Sequence, residues 1–188
     1  MTLQTTKALP DLQLGHNRYD VGSVLNLARR GRYELDPAYQ RGSVWGLLRR
    51  RNLIRSLLIG LPIGQITVNN RAASRFSGPG YDRRKSAPYA VIDGKQRIEA
   101  LLAFSNGDFS VPRSWWIAGD VSDTIWEDTP DGPYVRFKHL TMQGEARFEL
   151  AALPSDEARL SSVAEETEVF HLINFGGVPQ GQHDPDLA

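Results

Sequence analysis

Apolar positions recur at helical spacing in four stretches of the chain, and two short segments between them have the length of strands. Val21 to Ala28 is a short amphipathic segment, closed by Arg29, Arg30, Gly31 and Arg32. Cations and a glycine of this kind commonly end a helix. A second helix is expected from about Val44 to Ile59, capped by Ser43. Leu47, Ile54, Leu58 and Leu61 would form its apolar face, with Arg49, Arg50, Arg51 and Arg55 on the others. Gly60 and Pro62 stop it. Gln65 to Asn70 reads as a strand, and so does Tyr89 to Ile92. Asp93 and Gly94 then turn the chain into a third helix, Lys95 to Phe104, with Ile98, Leu101 and Leu102 inward and Asn106 and Gly107 at its end. Ser162 and Glu165 have the spacing of a capping box. They precede a fourth helix through Val169, Phe170 and Ile173, which Asn174, Phe175, Gly176 and Gly177 are expected to close.

The intervening segments read less sharply. Residues 71–88 are a glycine- and arginine-rich loop. Residues 108–152 mix aromatic and acidic residues with turns, and Tyr134 to His139 alternates weakly, as a strand would. Helices and short strands in this mixture predict an α+β fold.

A chain of 188 residues has the length of one domain. We expect a lead over residues 1–34, the domain over 35–179 and a tail over 180–188. The absence of cysteine excludes disulfides, thiolate metal sites and cysteine nucleophiles. No apolar run approaches the roughly 20 residues of a membrane span, and the N-terminal MTLQTTKALPDLQLG has no apolar core of signal-peptide type. A cytoplasmic protein without membrane contact is expected. The net charge of zero hides a division: residues 1–100 hold 17 Lys+Arg against 7 Asp+Glu, and residues 101–188 hold 5 against 15. That division permits a basic face for phosphate, built from Arg49, Arg50, Arg51, Arg55, Arg83 and Arg84. It equally permits pairing between the two halves.

The segment with the most chemical content is Tyr89-Ala-Val-Ile-Asp-Gly-Lys-Gln-Arg97, a strand, a tight turn and a helix start. Backbone N–H groups at a helix start carry partial positive charge. Gly94 lets an anion approach the backbone closely. Lys95 and Arg97 stand in the first turn, where the helix dipole disfavours cations, and a bound phosphate would remove that conflict. The alternative is local: Asp93 as N-cap and Gln96 as its capping-box partner. Two more features are Tyr39-Gln40-Arg41 followed by Trp45, and Phe170-His-Leu-Ile-Asn174-Phe-Gly-Gly177. Arg41 is suited to bidentate phosphate pairing or to a surface ion pair, and Asn174 to a ligand contact or a helix end. His16, His139, His171 and His183 have no partners at metal-ligand spacing. There is no nucleophile elbow, Walker A loop or dinucleotide fingerprint.

These blocks occur in a familiar order. Pro37-Ala-Tyr-Gln-Arg41 with Trp45, Gly60-Leu-Pro-Ile63, Ile92-Asp-Gly-Lys-Gln-Arg97 and Phe170-His-Leu-Ile-Asn174-Phe-Gly-Gly177 resemble the signature of a bacterial and phage family. That family forms the N-terminal domain of GmrSD-type modification-dependent restriction enzymes and is related to the ParB/sulfiredoxin superfamily. The resemblance covers about Leu35 to Pro179. It implies a ParB/sulfiredoxin-like α+β fold, a small mixed sheet packed with helices. It also implies a nucleotide-binding, NTP-hydrolysing domain that powers or regulates a DNA-cleaving partner in restriction or phage defence. Carried over by position, Gln40, Arg41, Gly94, Lys95, Arg97 and Asn174 would hold a nucleoside triphosphate. Asp93 would bind Mg²⁺ or orient the attacking water, and Gln96 would position that water. Lys95 replaces the first Gln of the commonest D-G-Q-Q-R form, a change that favours binding over turnover. Alternatives are a DNA-binding module without turnover and, with less support, a stand-alone nuclease. DNA and a separate nuclease subunit are the macromolecular partners the resemblance implies.

Overall fold

The computed structural model describes residue 12, residues 14–40, residue 42 and residues 45–175. The elements in order are β1 (Gly15–Asp20), α1 (Val21–Arg29), β2 (Tyr33–Glu34), α2 (Leu47–Leu58), β3 (Ile66–Asn70), β4 (Tyr89–Asp93) and α3 (Lys95–Ser105). Then come β5 (Val111–Pro112), β6 (Glu127–Thr129), β7 (Gly132–Val135), α4 (Met142–Glu149), β8 (Ala152–Ala158) and α5 (Val163–Phe175). The fold is α+β. A five-stranded mixed sheet has the order β1-β8-β3-β4-β2, and a smaller antiparallel sheet has the order β5-β7-β6. β3 runs antiparallel to β4 and parallel to β8. β2 joins the outer edge of β4 in parallel.

Strand alternation sorts the core into two layers. Ile66, Val68 and Val91 point into the larger core with Val24 and Leu25 of α1, Ile54 and Leu57 of α2 and Ile98 and Phe104 of α3. Ile92 points the other way, against Ala158, Leu160 and Val169, and so beds α5 on the opposite face. Strands buried on both faces read as continuous apolar runs, which is why β4 was visible as a pattern, whereas β3 alternates apolar Ile66 and Val68 with the buried polar Thr67 and Asn69. Each fully buried Ile, Leu or Phe contributes about 1.5–3 kcal/mol of transfer free energy.

The differences from the pattern have local causes. β1 and β8 are polar sequences, Gly15-His-Asn-Arg-Tyr-Asp and Ala152-Leu-Pro-Ser-Asp-Glu-Ala, so their pairing carries no apolar signature. Residues 15–34, expected to lead into the domain, supply β1, α1 and β2 to the main sheet and core. The inward face of α2 is Leu53, Ile54, Leu57 and Leu58, and the expected Leu47 and Leu61 are exposed. Ser43 lies outside the described residues, and α2 begins at Gly46 without a side-chain cap. Only Tyr134 and Val135 of the expected 134–139 strand lie in β7, because Phe137–His139 coils into a 3-10 turn. The Ser162–Glu165 signal is half a capping box: Glu165 N donates to Ser162 Oγ at 3.3 Å, while the Glu165 carboxylate turns back to Ser161.

α1 has a cap that the sequence reading passed over. Asp20 accepts from Ser23 N at 2.6 Å, and hydrogen bonding from the Ser23 side chain first, and then from its backbone N–H, holds the Asp20 carboxyl below the ordinary aspartate range. A carboxylate whose pKa is depressed on folding stabilises above its unfolded pKa, and the contribution disappears as pH falls through the folded one. Asp20→Ala is expected to cost about 1 kcal/mol at neutral pH. The difference from wild type should close as pH falls below about 3.9. Urea unfolding at neutral and acid pH checks this, and a pH-independent loss would assign the effect to packing.

Candidate functional site

The end of β4 and the start of α3 build the site. Gly94 makes the turn at φ +96°, in the left-handed region, and serves as N-cap of α3 without any side-chain cap. A Cβ here would stand 2.9 Å from Ile66 Cγ1 and 3.2 Å from Ile66 Cα, so the turn is pressed against β3 and only glycine fits. The local alternative, in which Asp93 caps the helix, is not what the chain forms. Asp93 pairs instead with Arg97, Oδ2 lying 3.2 Å from Nη2. Arg97 Nη1 also donates to the Gln65 carbonyl at 2.7 Å. Gly64 lies under this guanidinium, where a Cβ would come within 3.1 Å of Nη2. Gly64 and Gln65 therefore position Arg97, and they are the two residues that follow the G-L-P-I block.

Two glutamines stitch the earlier block to this turn. Gln40 Nε2 donates to the Val91 and Ile92 carbonyls. It thereby continues along β4 the edge pairing that β2 begins. In the other direction, Gln96 Oε1 accepts from Trp45 N at 3.2 Å. Each glutamine thus holds the backbone of the other block, which is a physical reason for a Q-R pair in both. Lys95 is buried, and its ammonium is engaged by Asp36 and, at 3.7 Å, by Glu99. Arg41 lies outside the described residues.

The far wall comes from α5. Glu166, Phe170 and Asn174 follow one another at four-residue spacing and so share a face. Asn174 sits within the helix, and its Nδ2 donates to the Phe170 carbonyl at 2.9 Å. Glu166 is fully buried and holds Arg71 with both oxygens, at 2.7 and 2.6 Å. Asn69 of β3 adds a third hydrogen bond to Glu166 at 2.7 Å, and Glu34 pairs with the other side of Arg71. Burial alone pulls the Arg71 pKa down, but Glu166 and Glu34 outweigh it and hold the guanidinium charged. Tyr39 lies between this network and Phe170, with ring centroids 5.5 Å apart. Burial first, and then the Glu166 charge, pushes its hydroxyl above the ordinary tyrosine range.

These walls enclose an open cavity of about 380 Å³. Gln40, Asp93, Gly94, Lys95, Gln96, Arg97 and Asn174 all border it, joined by Trp45 and Phe170. Among the described residues no group of three His, Asp or Glu side chains is placed to hold a metal ion. Asp93 is the carboxylate on the cavity wall. The arrangement offers a guanidinium, a helix N-terminus and two aromatic walls, which together suit an anion carrying a flat ring.

Most of the arginines expected to form a nucleic-acid face also make contacts within the protein, with Arg49, Arg55, Arg83 and Arg84 exposed. Arg49 lies over Trp45, Arg51 over Tyr134 and Arg55 over Trp115. Arg50 Nε donates to the Trp45 carbonyl and Arg51 Nε to that of Ser110. Arg83 reaches the Ala72 carbonyl, and Arg84 is exposed. No helix among the described residues is long and apolar enough to cross a membrane. Comparison with known proteins finds no match among curated proteins and none among solved structures. The family model described as the GmrSD restriction endonuclease, N-terminal domain, matches residues 21–185, and the chain belongs to that family.

Proposed function

We propose that the cavity at the β4–α3 turn is a nucleoside triphosphate site whose occupancy and hydrolysis regulate DNA cleavage by a nuclease partner in restriction. The observation that carries this reading is convergence. Three blocks far apart in sequence supply Gln40, Asp93, Gly94, Arg97 and Asn174 to one cavity of about 380 Å³. That volume lies in the range of small-molecule sites, about 300–1,000 Å³. Arg97 and the α3 N-terminus receive the phosphates. Trp45 and Phe170 wall the base. Mg²⁺ fits this donor set, because it commonly takes one or two carboxylates and completes its shell with phosphate and water. Asp93 is the carboxylate that would hold it, and the ion would supply charge neutralisation at the phosphates. Asp93 would hold the ion, and Arg97, its present partner, would face the anion. Gln96 holds Trp45 in place, a positioning role in addition to the water-orienting role that the family resemblance implies.

Isothermal titration with ATP, GTP, CTP and UTP plus Mg²⁺ tests the site. Arg97→Ala is expected to weaken binding about 10- to 100-fold, since a hydrogen bond to a charged group is worth about 1.5–3 kcal/mol. Circular dichroism should show the fold retained. Equal affinity in wild type and Arg97→Ala, or no nucleotide bound at all, would remove the reading. Phosphate release by the wild type and its loss in Asp93→Ala would separate an enzyme from a nucleotide-gated switch.

A further inference from the structure

We propose that the 71–88 loop holds the phosphate backbone of duplex DNA, on a surface separate from the nucleotide cavity. β3 and β4 are neighbouring antiparallel strands, which a turn of about two to five residues can join. Residues 71–88 join them instead. A connection of that length inside a domain is commonly either functional or unstructured, and this one is packed and hydrogen-bonded. Arg71 N donates to the Pro88 carbonyl at 2.9 Å and so closes its ends. Ser77 N donates to the Ser161 carbonyl at 2.9 Å and ties its middle to the segment before α5. Within it, Phe76 and Tyr81 pack edge to face with centroids 4.9 Å apart, and Arg71 lies over Phe76 at 4.3 Å.

This frame carries two turns. One follows β3, where Asn70 Oδ1 accepts from Ala73 N at 2.9 Å. The other is built on Asp82, whose carboxylate accepts from Arg84 N at 2.9 Å and whose carbonyl accepts from Lys85 N and Ser86 N at 3.0 and 2.8 Å. Arg83 joins the two turns by donating to the Ala72 carbonyl. Together they display Arg75, Arg83, Arg84 and Lys85, all exposed, against the single acid Asp82. Asp82 stands 3.9 Å from Lys85. The Arg75 and Arg84 side chains have no hydrogen bond, ion pair or ring contact among the described residues. The exposed arginines of α2 differ, since Arg49 and Arg55 lie over Trp45 and Trp115.

Four exposed cations on a fixed backbone suit a polyanion, and arginine pairs bidentately with phosphate. The loop exposes no large apolar side chain to bury in a lipid surface. Duplex DNA is the polyanion that fits a member of a restriction endonuclease family. Contacts of this kind position a duplex without reading its sequence. The nucleotide cavity lies at the other end of β4, around Asp93 and Gly94, and no residue of the loop lines it. The loop surface therefore stands whether or not that cavity takes a nucleotide.

Fluorescence anisotropy of the full chain with labelled duplexes of about 20 base pairs, in two unrelated sequences, tests this. About four phosphate contacts predict a loss of affinity on the order of 100-fold between about 50 and about 200 mM NaCl. Arg84→Glu is expected to weaken binding to both sequences alike and to lower the salt slope by about 1. Arg75→Glu with Arg84→Glu and Lys85→Glu should abolish binding, with an unchanged circular dichroism spectrum. Arg55→Glu, the same charge change placed on α2, should bind as wild type does, and so should Arg97→Ala. Absence of duplex binding by wild type at low salt would overturn the proposal. So would equal losses in Arg84→Glu and Arg55→Glu, or a triple variant that still binds. Binding to phosphatidylserine vesicles but not to either duplex would overturn it in favour of a membrane surface.

Discussion

Glu166→Leu is expected to destabilise the fold by about 3–5 kcal/mol, the usual consequence of removing one partner from a buried ion pair. Glu166 is fully buried and accepts three hydrogen bonds, two from Arg71 and one from Asn69. Its loss leaves Arg71, 6% exposed, facing only Glu34. Urea unfolding measures the loss, and a change under about 1 kcal/mol would show that the pair is solvated in solution. Replacing both partners, Arg71→Met with Glu166→Leu, is expected to recover much of the stability, because no uncompensated charge then remains buried. The effect should extend to the cavity. Glu166 anchors the turn of α5 immediately before Phe170 and Asn174, so loosening it moves the far wall. Nucleotide affinity, where measurable, should fall in the single variant even under conditions where the protein stays folded.

The network around Glu166 also marks where the sequence was opaque. Arg71 stands in a run of arginines that composition reads as a solvated or phosphate-facing loop. Its burial depends on Glu34 and Glu166, one 37 residues before it and the other 95 after. No local pattern carries that information. The strand–turn–helix from Tyr89 to Ser105 was legible because β4 is apolar on both faces and Gly94 interrupts it at the one point that needs a positive φ. The α3 face was legible because Ile98 and Leu101 are both buried at helical spacing. β1 and β8 escaped because their register rests on backbone hydrogen bonds between polar residues. The α2 face was half legible: Ile54 and Leu58 are buried as expected, but Leu47, at the start of the helix, and Leu61, beyond its end, are exposed although apolar. Three of the four sequence blocks meet at the candidate site, while Gly60-Leu-Pro-Ile63 lines a separate cavity. The roles of Gln40 and Gln96 were not, because a glutamine that binds a ligand and one that binds a backbone carbonyl look alike in sequence.

Gly94→Ala separates the two reasons that a glycine occupies the turn. A left-handed residue other than glycine costs about 1–2 kcal/mol. Gly94 carries in addition the contacts with Ile66 and Arg97, where a Cβ would fall at 2.9 Å, and overpacking of this kind costs about 1–3 kcal/mol. Gly107, after the C-cap of α3, has a similar φ of +80° but open space around it. Gly107→Ala should therefore show the conformational cost alone, and Gly94→Ala the sum, about 2–5 kcal/mol. The difference between the two in urea unfolding isolates the close packing of the turn on β3, and equal losses would refute it. The packing has a functional counterpart. The backbone at Ile66 cannot retreat without disturbing β3 between β4 and β8, so that clash remains as lost stability, while the clash with the flexible Arg97 guanidinium is relieved by its displacement. Gly94→Ala should consequently weaken anion binding more than its loss of global stability explains. Gly107→Ala, which carries the conformational cost without the clash and is remote from Arg97, should leave binding unchanged.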